Sequence, residues 1–580
     1  MTTPEQQTPT GVTRRRVLTI AGAASAASVT STAAAAPREE VATRLPTGQG
    51  FEYDDVEVTQ YRERVRTVRT GRFERVYDAA QGQHVAWHVN DHALVEGPDG
   101  TWHMFGIAFP ESGHTGEQFL SHATAPSLHG PFVTEAPVLS ADPDYGETHL
   151  WAPHVVEHEG TWYMFYAGGG PDDANAIMCV ATSTDLWHWE RDPDGALFAD
   201  GWEARDPMVL RVGDEWVMYY CATENQRFSR RVVACRTSAD LRSWGERRIV
   251  YEAPQYGDVA GDTESPFVVE HDGAYYLFVG PTGGYEGGYH SYSSTDVIRS
   301  DDPFRFDRDD RVGRIRVHAP EVVRHDGRWW VTHSGVGQNG LYLAELDLDA
   351  TETRTGVRAA GPSYELDVQA SPWCGVVALR TPGGPNLVDD GFRGTRPYLA
   401  VGGYGDSPRA GAARRITLDR RRGEVTLHDI PFGGEPVTAD WTFALAADWF
   451  DTTMAWEVAD ELSGVVMEGG WSLGTALPQV GDDVDPDRAP GTSAGGLGRY
   501  IVATDGSMTV AAAYRPGSMW AEYNRWFNAK VGTITSQFVM SWAGLSWKPG
   551  RYAGGSWRVG VSPEGGDLAL AERLAAGVEE

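Results

Sequence analysis

The chain has 580 residues and a formal net charge of −32, from 81 Asp and Glu against 49 Lys and Arg. That surplus argues against nucleic acid or an anionic membrane surface as partner and is that of a protein kept soluble outside the cell. The length allows two or three domains with full cores, and four cysteines are too few for a disulfide-built scaffold.

The first segment reads as an address. Thr13-Arg14-Arg15-Arg16-Val17-Leu18 resembles the twin-arginine export signal, and a weakly apolar stretch runs on to Val29 before Ala33-Ala34-Ala35-Ala36. This predicts a signal peptide over residues 1–36, a mature start near Ala36 or Pro37, the twin-arginine translocase as a partner and a secreted or cell-surface protein. No later segment has the run of about 18 apolar residues that a membrane span needs. Residues 37–83 are polar, with an Arg-rich run from Arg62 to Arg75, and read as a linker with lead-in strands.

A short pattern then recurs five times: a polar or aromatic head, an apolar pair, a turn and a second run rich in aromatics. It spans Asn90–Phe105, Ala152–Phe165, Arg205–Tyr219, Glu264–Phe278 and Ala319–His333. The turn glycines Gly100, Gly160, Gly213, Gly273 and Gly327 are about 53 to 60 residues apart, a spacing typical of radial repeats. Two short apolar runs around an acidic-Gly turn form a β-hairpin. Five such hairpins predict a five-bladed β-propeller over residues 84–380. A T-S-x-D-L-x-x-W frame recurs at Thr182–Trp189 and Thr237–Trp244, so the outer part of the blade repeats too. Cys221 and Cys235 flank a turn near Gln226-Arg227-Phe228, placed for a disulfide across two strands or, more ordinarily, for two buried free thiols.

Glycine and proline after Arg380 mark a boundary. Short strand-like runs follow at 397–403, 413–418, 424–430, 441–445, 500–503, 508–514 and 557–561, with helical periodicity only at 567–576. Residues 381–580 therefore read as a β-sandwich-like accessory domain, and the whole chain as all-β.

The heads differ while the hairpin bodies hardly change. Asp91, Asp206 and Glu264 precede the apolar pairs of blades one, three and four, with Ala152 and Ala319 at the matching place in blades two and five. Inner strands of a propeller start around one funnel, so these carboxylates are expected to meet. Carboxylates gathered in an apolar cleft repel one another, which raises one pKa and leaves another low. Glycoside cleavage needs that split, with one acid to protonate the leaving oxygen and one ionised partner at the anomeric carbon. Trp87, Asn90, Trp151 and His154 are expected to line the funnel.

Trp87-His88-Val89-Asn90-Asp91 resembles the W-x-N-D-P-N-G opening of family 32 glycoside hydrolases, the β-fructosidases. Arg205-Asp206-Pro207 is similar to their R-D-P motif, and Glu264-Ser265-Pro266 to their E-C-P motif. Leu150-Trp151-Ala152-Pro153 is similar to the W-A-P-D segment of family 43, the arabinanases and xylosidases. His92 stands where the first motif has proline, Ser265 replaces cysteine and His154 follows Pro153 in place of aspartate.

The resemblance implies an oligo- or polysaccharide substrate containing furanosides, fructan or arabinose-based, with no cofactor. It implies Asp91 as nucleophile in a retaining mechanism or as general base in an inverting one. Glu264 would be the general acid, and Asp206 a tuner of Glu264 with Arg205 as its charge partner beside the substrate. Family 43 relatives often carry an ion on the propeller axis, for which His318 is a possible contact; otherwise it joins the substrate-binding set. A sugar-binding propeller without catalysis is the alternative.

Overall fold

The computed structural model describes residues 42–45, 50–80, 87–110, 116–169, 176–201, 203–223, 230–256, 263–281, 295–334, 340–388, 397–401, 410–473, 479–482, 493–495, 500–504, 508–514, 525–528, 536–565 and 568–579. The predicted signal peptide and the turn at Gln226-Arg227-Phe228 lie outside them. Among the described residues no helix is long and apolar enough to cross a membrane.

Five antiparallel sheets of four or five strands follow one another in sequence order. Blade one starts with Trp87–Glu96 and Trp102–Pro110, blade two with His149–His158 and Thr161–Gly169, and blade three with Glu203–Val212 and Glu215–Thr223. Blade four starts with Thr263–His271 and Ala274–Pro281, and blade five with Val322–His325 and Arg328–His333. The first strands of neighbouring blades pack on one another, which makes them the inner strands. The turns Glu159-Gly160, Asp272-Gly273 and Asp326-Gly327 hold both central residues at positive φ, matching the twist of the strands that they join.

The repeated apolar residues fill the spaces between blades. Phe165, Met178 and Val180 of blade two meet Val209, Met218 and Tyr220 of blade three, all buried. In the repeated outer frame the Ser183 hydroxyl accepts from the Asp185 and Leu186 N–H groups, and Asp185 accepts from Trp187 and His188. Ser238 and Asp240 repeat the arrangement in blade three. These side chains take up N–H groups that the turn would otherwise leave without partners.

Two features depart from the expected boundaries. Blade five ends at Asp347, and its outer edge is supplied by Arg69–Thr70 and Glu74–Tyr77 from the lead-in segment, which close the ring. Residues 351–380 do not enter the propeller; Thr351–Ala360 pairs along its whole length with Val56–Arg66 in a separate six-stranded sheet. The reason is partnership: Arg358 pairs with Glu63 at 2.7 Å and Asp367 at 2.8 Å, and the sheet's apolar face joins the C-terminal core through Val357, Leu366, Phe443 and Trp456. Beyond it lie an eight-stranded and a five-stranded sheet, with the helix Leu568–Glu579 packed on the former.

The two cysteines do not face each other. Cys221 is opposite Val233 and Cys235 opposite Tyr219, a two-place offset along the ladder, and both are buried free thiols.

Candidate active site

Four of the five inner strands break their ladder at one place. Val89 and His92 are paired with the second strand, but Asn90 and Asp91 between them are not. The same gap falls at Ala152-Pro153, Asp206-Pro207 and Ser265-Pro266. Proline has no N–H for the ladder, and the residue before it swings into the left-handed region. There φ is 45° at Ala152, 55° at Asp206, 47° at Ser265 and 49° at Ala319, which precedes Pro320. Blade one is the exception, with Asp91 in the proline's place and no positive φ at Asn90. Its distorted strand lies close against Gly106, where a Cβ would meet the Asp91 carbonyl oxygen at 2.7 Å.

This ladder corrects the expected equivalence of the heads. Asp91, Asp206 and Glu264 occupy three successive places. Glu264 precedes the left-handed residue, in register with Trp151 and Arg205; Asp206 is the left-handed residue, in register with Ala152 and Ser265; Asp91 follows it. The prolines set this register, because they pin the bulge wherever they occur.

The three carboxylates still share one set of partners. The Ser265 hydroxyl donates to Asp91 Oδ1 at 2.5 Å, and the Ser265 N–H donates to Asp206 Oδ2 at 3.0 Å. The Arg205 guanidinium donates to the same Asp206 oxygen and lies 3.5 Å from Glu264 Oε1. Arg205, Asp206 and Glu264 are buried, so this cation is what makes two adjacent carboxylates tolerable out of water. Asp91 has no such cation of its own. Burial and then the Asp206 charge push its pKa up to about 7, against the Ser265 hydroxyl and Arg205, which pull it down. The site thus holds one carboxyl that titrates near neutrality beside an ion-paired neighbour.

The other expected residues divide. Asn90 Oδ1 accepts from His318 Nε2 at 2.7 Å, tying blade one to blade five beside the carboxylates. Trp151 is half-buried, donates from Nε1 to Glu117 at 3.0 Å and stacks on His149 with ring centroids 3.8 Å apart. His154 is buried and donates to the Val209 carbonyl at 3.2 Å, a bond that joins blades two and three. Trp87 packs against the apolar cluster between blades one and five.

A cavity of about 30 Å³ is lined from all five blades, among others by Asp91, His92, His154, Asp206, Ser265 and Glu321. His92 Nδ1 donates to the Asn90 carbonyl, which leaves Nε2 to accept from Thr332 at 2.7 Å. Burial pushes His92 and His154 down to about 4, so both are neutral at pH 7, and it pushes Glu321 well above the usual carboxylate range. His318 is buried, and its Nε2 donates to Asn90. A second group, His271, Asp272 and Asp349, lies near the turn end of blade four, and there Asp349 is already paired with Arg66 at 2.8 Å.

Ser265, His92, Glu117 and Thr332 are site residues missed in the sequence. For Ser265 a signal existed: superposing the five heads on their prolines, instead of on their acids, puts it in the place of Asp206.

The family model for glycosyl hydrolases family 43 matches residues 127–304, a span that holds Asp206 and Glu264 but not Asp91. The chain is 42% identical over 68 residues to a probable arabinan endo-1,5-alpha-L-arabinosidase C of Aspergillus fumigatus, a match covering 11% of this chain and 21% of that protein. It is 21% identical over 206 residues to an extracellular exo-alpha-(1->5)-L-arabinofuranosidase of Cellvibrio japonicus, covering 33% of this chain and 58% of the relative. The chain thus spans about a fifth to three-fifths of these curated relatives. Among solved structures, an exo-1,5-alpha-L-arabinanase from a bovine ruminal metagenomic library aligns over 46% of this chain and 93% of its own, at 19% identity and a TM-score of 0.34. An arabinanase from Bacillus subtilis aligns over 45% and 94%, at 13% identity and a TM-score of 0.34. Residues 127–304 of the chain thus resemble glycosyl hydrolases family 43.

Proposed function

We propose that this chain is an exported glycoside hydrolase that cleaves furanosidic bonds in arabinose-containing glycans. The observation that carries the proposal is the gathering of Asp91, Asp206 and Glu264 around one arginine and one serine, with Asp91 titrating near 7. The relatives' names support arabinose as the sugar, and the family match favours the inverting of the two mechanisms that the resemblance implies.

In that mechanism Asp91, ionised, takes a proton from a water as its oxygen attacks the anomeric carbon. Glu264 gives its proton to the glycosidic oxygen as the carbon–oxygen bond breaks. Asp206, paired with Arg205, holds sugar hydroxyls. The same arginine lies 3.5 Å from Glu264, and its charge stabilises the carboxylate that forms as the proton leaves. Asn90 and Trp151 border the sugar, and His318 fixes Asn90. Export rests on the twin-arginine-like residues Arg14-Arg15-Arg16 and on the extracellular relative.

The test is a screen of the chain from Pro37 onward on arabinan, xylan, levan, inulin, sucrose and aryl-furanosides, with Glu264→Gln alongside. Release from arabinan that is lost in Glu264→Gln supports the reading. Release from levan or inulin instead would turn the substrate to fructans. Saturable glycan binding with no release from any substrate would make the domain a binding module. Export is tested by replacing Arg14-Arg15-Arg16 with lysines, which should leave the enzyme inside the cell.

A further inference from the structure

The left-handed place of the bulge is taken by alanine in blades two and five, at Ala152 and Ala319. The bulge itself therefore needs no side chain beyond a methyl. In blade four the same place holds Ser265, at φ 47°, and its hydroxyl does not turn back to its own strand. It reaches across to blade one and donates to Asp91 Oδ1 at 2.5 Å, while its N–H donates to Asp206 Oδ2 at 3.0 Å. One residue thus touches two carboxylates from two other blades.

We infer that Ser265 is a positioning residue that aims the Asp91 carboxylate and holds it in its ionised form; this rests on the proposed role of Asp91 as base. A hydroxyl donor next to a carboxylate favours the charged state, whereas burial and a second carboxylate favour the protonated one. Asp206 of blade three raises the Asp91 pKa and Arg205 lowers it. Glu264 of blade four is held by Arg205, His92 and His154 on the cavity wall are neutral at pH 7, and burial raises Glu321 well above the usual carboxylate range. Ser265 is the donor to Asp91 that can be removed without touching a charge. The second oxygen of Asp91 is then the one that takes the proton from water, because the first accepts from the serine.

Ser265→Ala copies blades two and five, so the bulge should survive it; Ser265→Gly, at ease at positive φ, is the second variant. Both keep the N–H that serves Asp206. The acid limb of kcat/KM against pH should move up by about one pH unit in both variants. That is about a tenfold loss on the acid side, with KM little changed and a much smaller loss at the pH of maximal rate. A limb that stays in place in both variants overturns the inference. The same pairing is read without turnover by following the side-chain carboxyl carbons of 13C-labelled aspartate through a pH titration, with Asp91→Asn assigning the signal. An upward shift of that titration in Ser265→Ala upholds the contact even if no substrate is cleaved, in which case only the hydrolase reading falls. An unshifted titration sinks the contact whatever the enzyme does.

Discussion

Blade one and the four blades after it solve the same problem in different ways. Blades two to five stop their inner ladder with a proline and a left-handed residue, and in two of them that residue is only an alanine. Blade one makes the same two-residue gap without proline and without a positive φ at Asn90, using Asp91 where the others have an imino acid. The conformation that proline enforces locally is held there by distant partners: His318 on Asn90, Ser265 on Asp91, and His92 bonded to the Asn90 carbonyl and Thr332. The repeat is therefore most regular where it only builds and least regular where it places a titrating group. A site of this kind costs the fold little, because four regular blades fix the frame in which the fifth can deviate.

The contrast can be broken hardest at Asp91. Asp91→Asn keeps the shape of the side chain and removes the base, so kcat at pH 7 should fall by about 10²–10⁴. The melting temperature should hold or rise, because a carboxyl repelled by Asp206 has gone; a large loss of stability would make Asp91 a structural residue instead. Arg205→Met attacks blade three in turn. It leaves Asp206 and Glu264 buried without their cation and should cost about 3–5 kcal/mol in denaturant unfolding, together with activity.

The pH profile sharpens the comparison without a mutation. A base must be ionised to accept a proton, and Asp91 is held up at about 7, so the acid limb of the rate should lie near pH 7, with a fall on the alkaline side where Glu264 loses the proton it donates. Below that limb it should fall about tenfold per pH unit. A flat profile between pH 5 and pH 7 would put the base elsewhere. The smallest effect is expected at the bulges themselves. Ala319→Gly relieves a left-handed alanine and should gain up to about 1 kcal/mol. Asn90→Gly has no such strain to relieve and should lose about 1 kcal/mol with the His318 bond.

Much of this was legible in the residues because period-2 hairpins and turn glycines are local signals. The five inner hairpins, the T-S-x-D-L frame and the strands at 424–430, 500–503 and 508–514 are visible that way, and so is the terminal helix. Strands such as Trp449–Val458 and Ser536–Trp547 were not, since no turn glycine recurs at a fixed place beside them. The partner of Thr351–Ala360 was hidden for another reason. It lies in Val56–Arg66, nearly 300 residues earlier, and no local pattern announces a pairing of that range.

By itself the sequence determined that the chain is all-β, that its blades repeat, and that Asp91, Asp206 and Glu264 stand at the starts of inner strands. Those are consequences of side-chain period and turn chemistry, which act within a few residues. Only the tertiary structure decided that the three acids fall at three successive places of the bulge, that Arg205 and Ser265 serve them jointly, and that Asp91 is the one driven towards neutrality. Register across blades, burial and the distance between charges are set by the closing of the ring, and a linear pattern holds none of them.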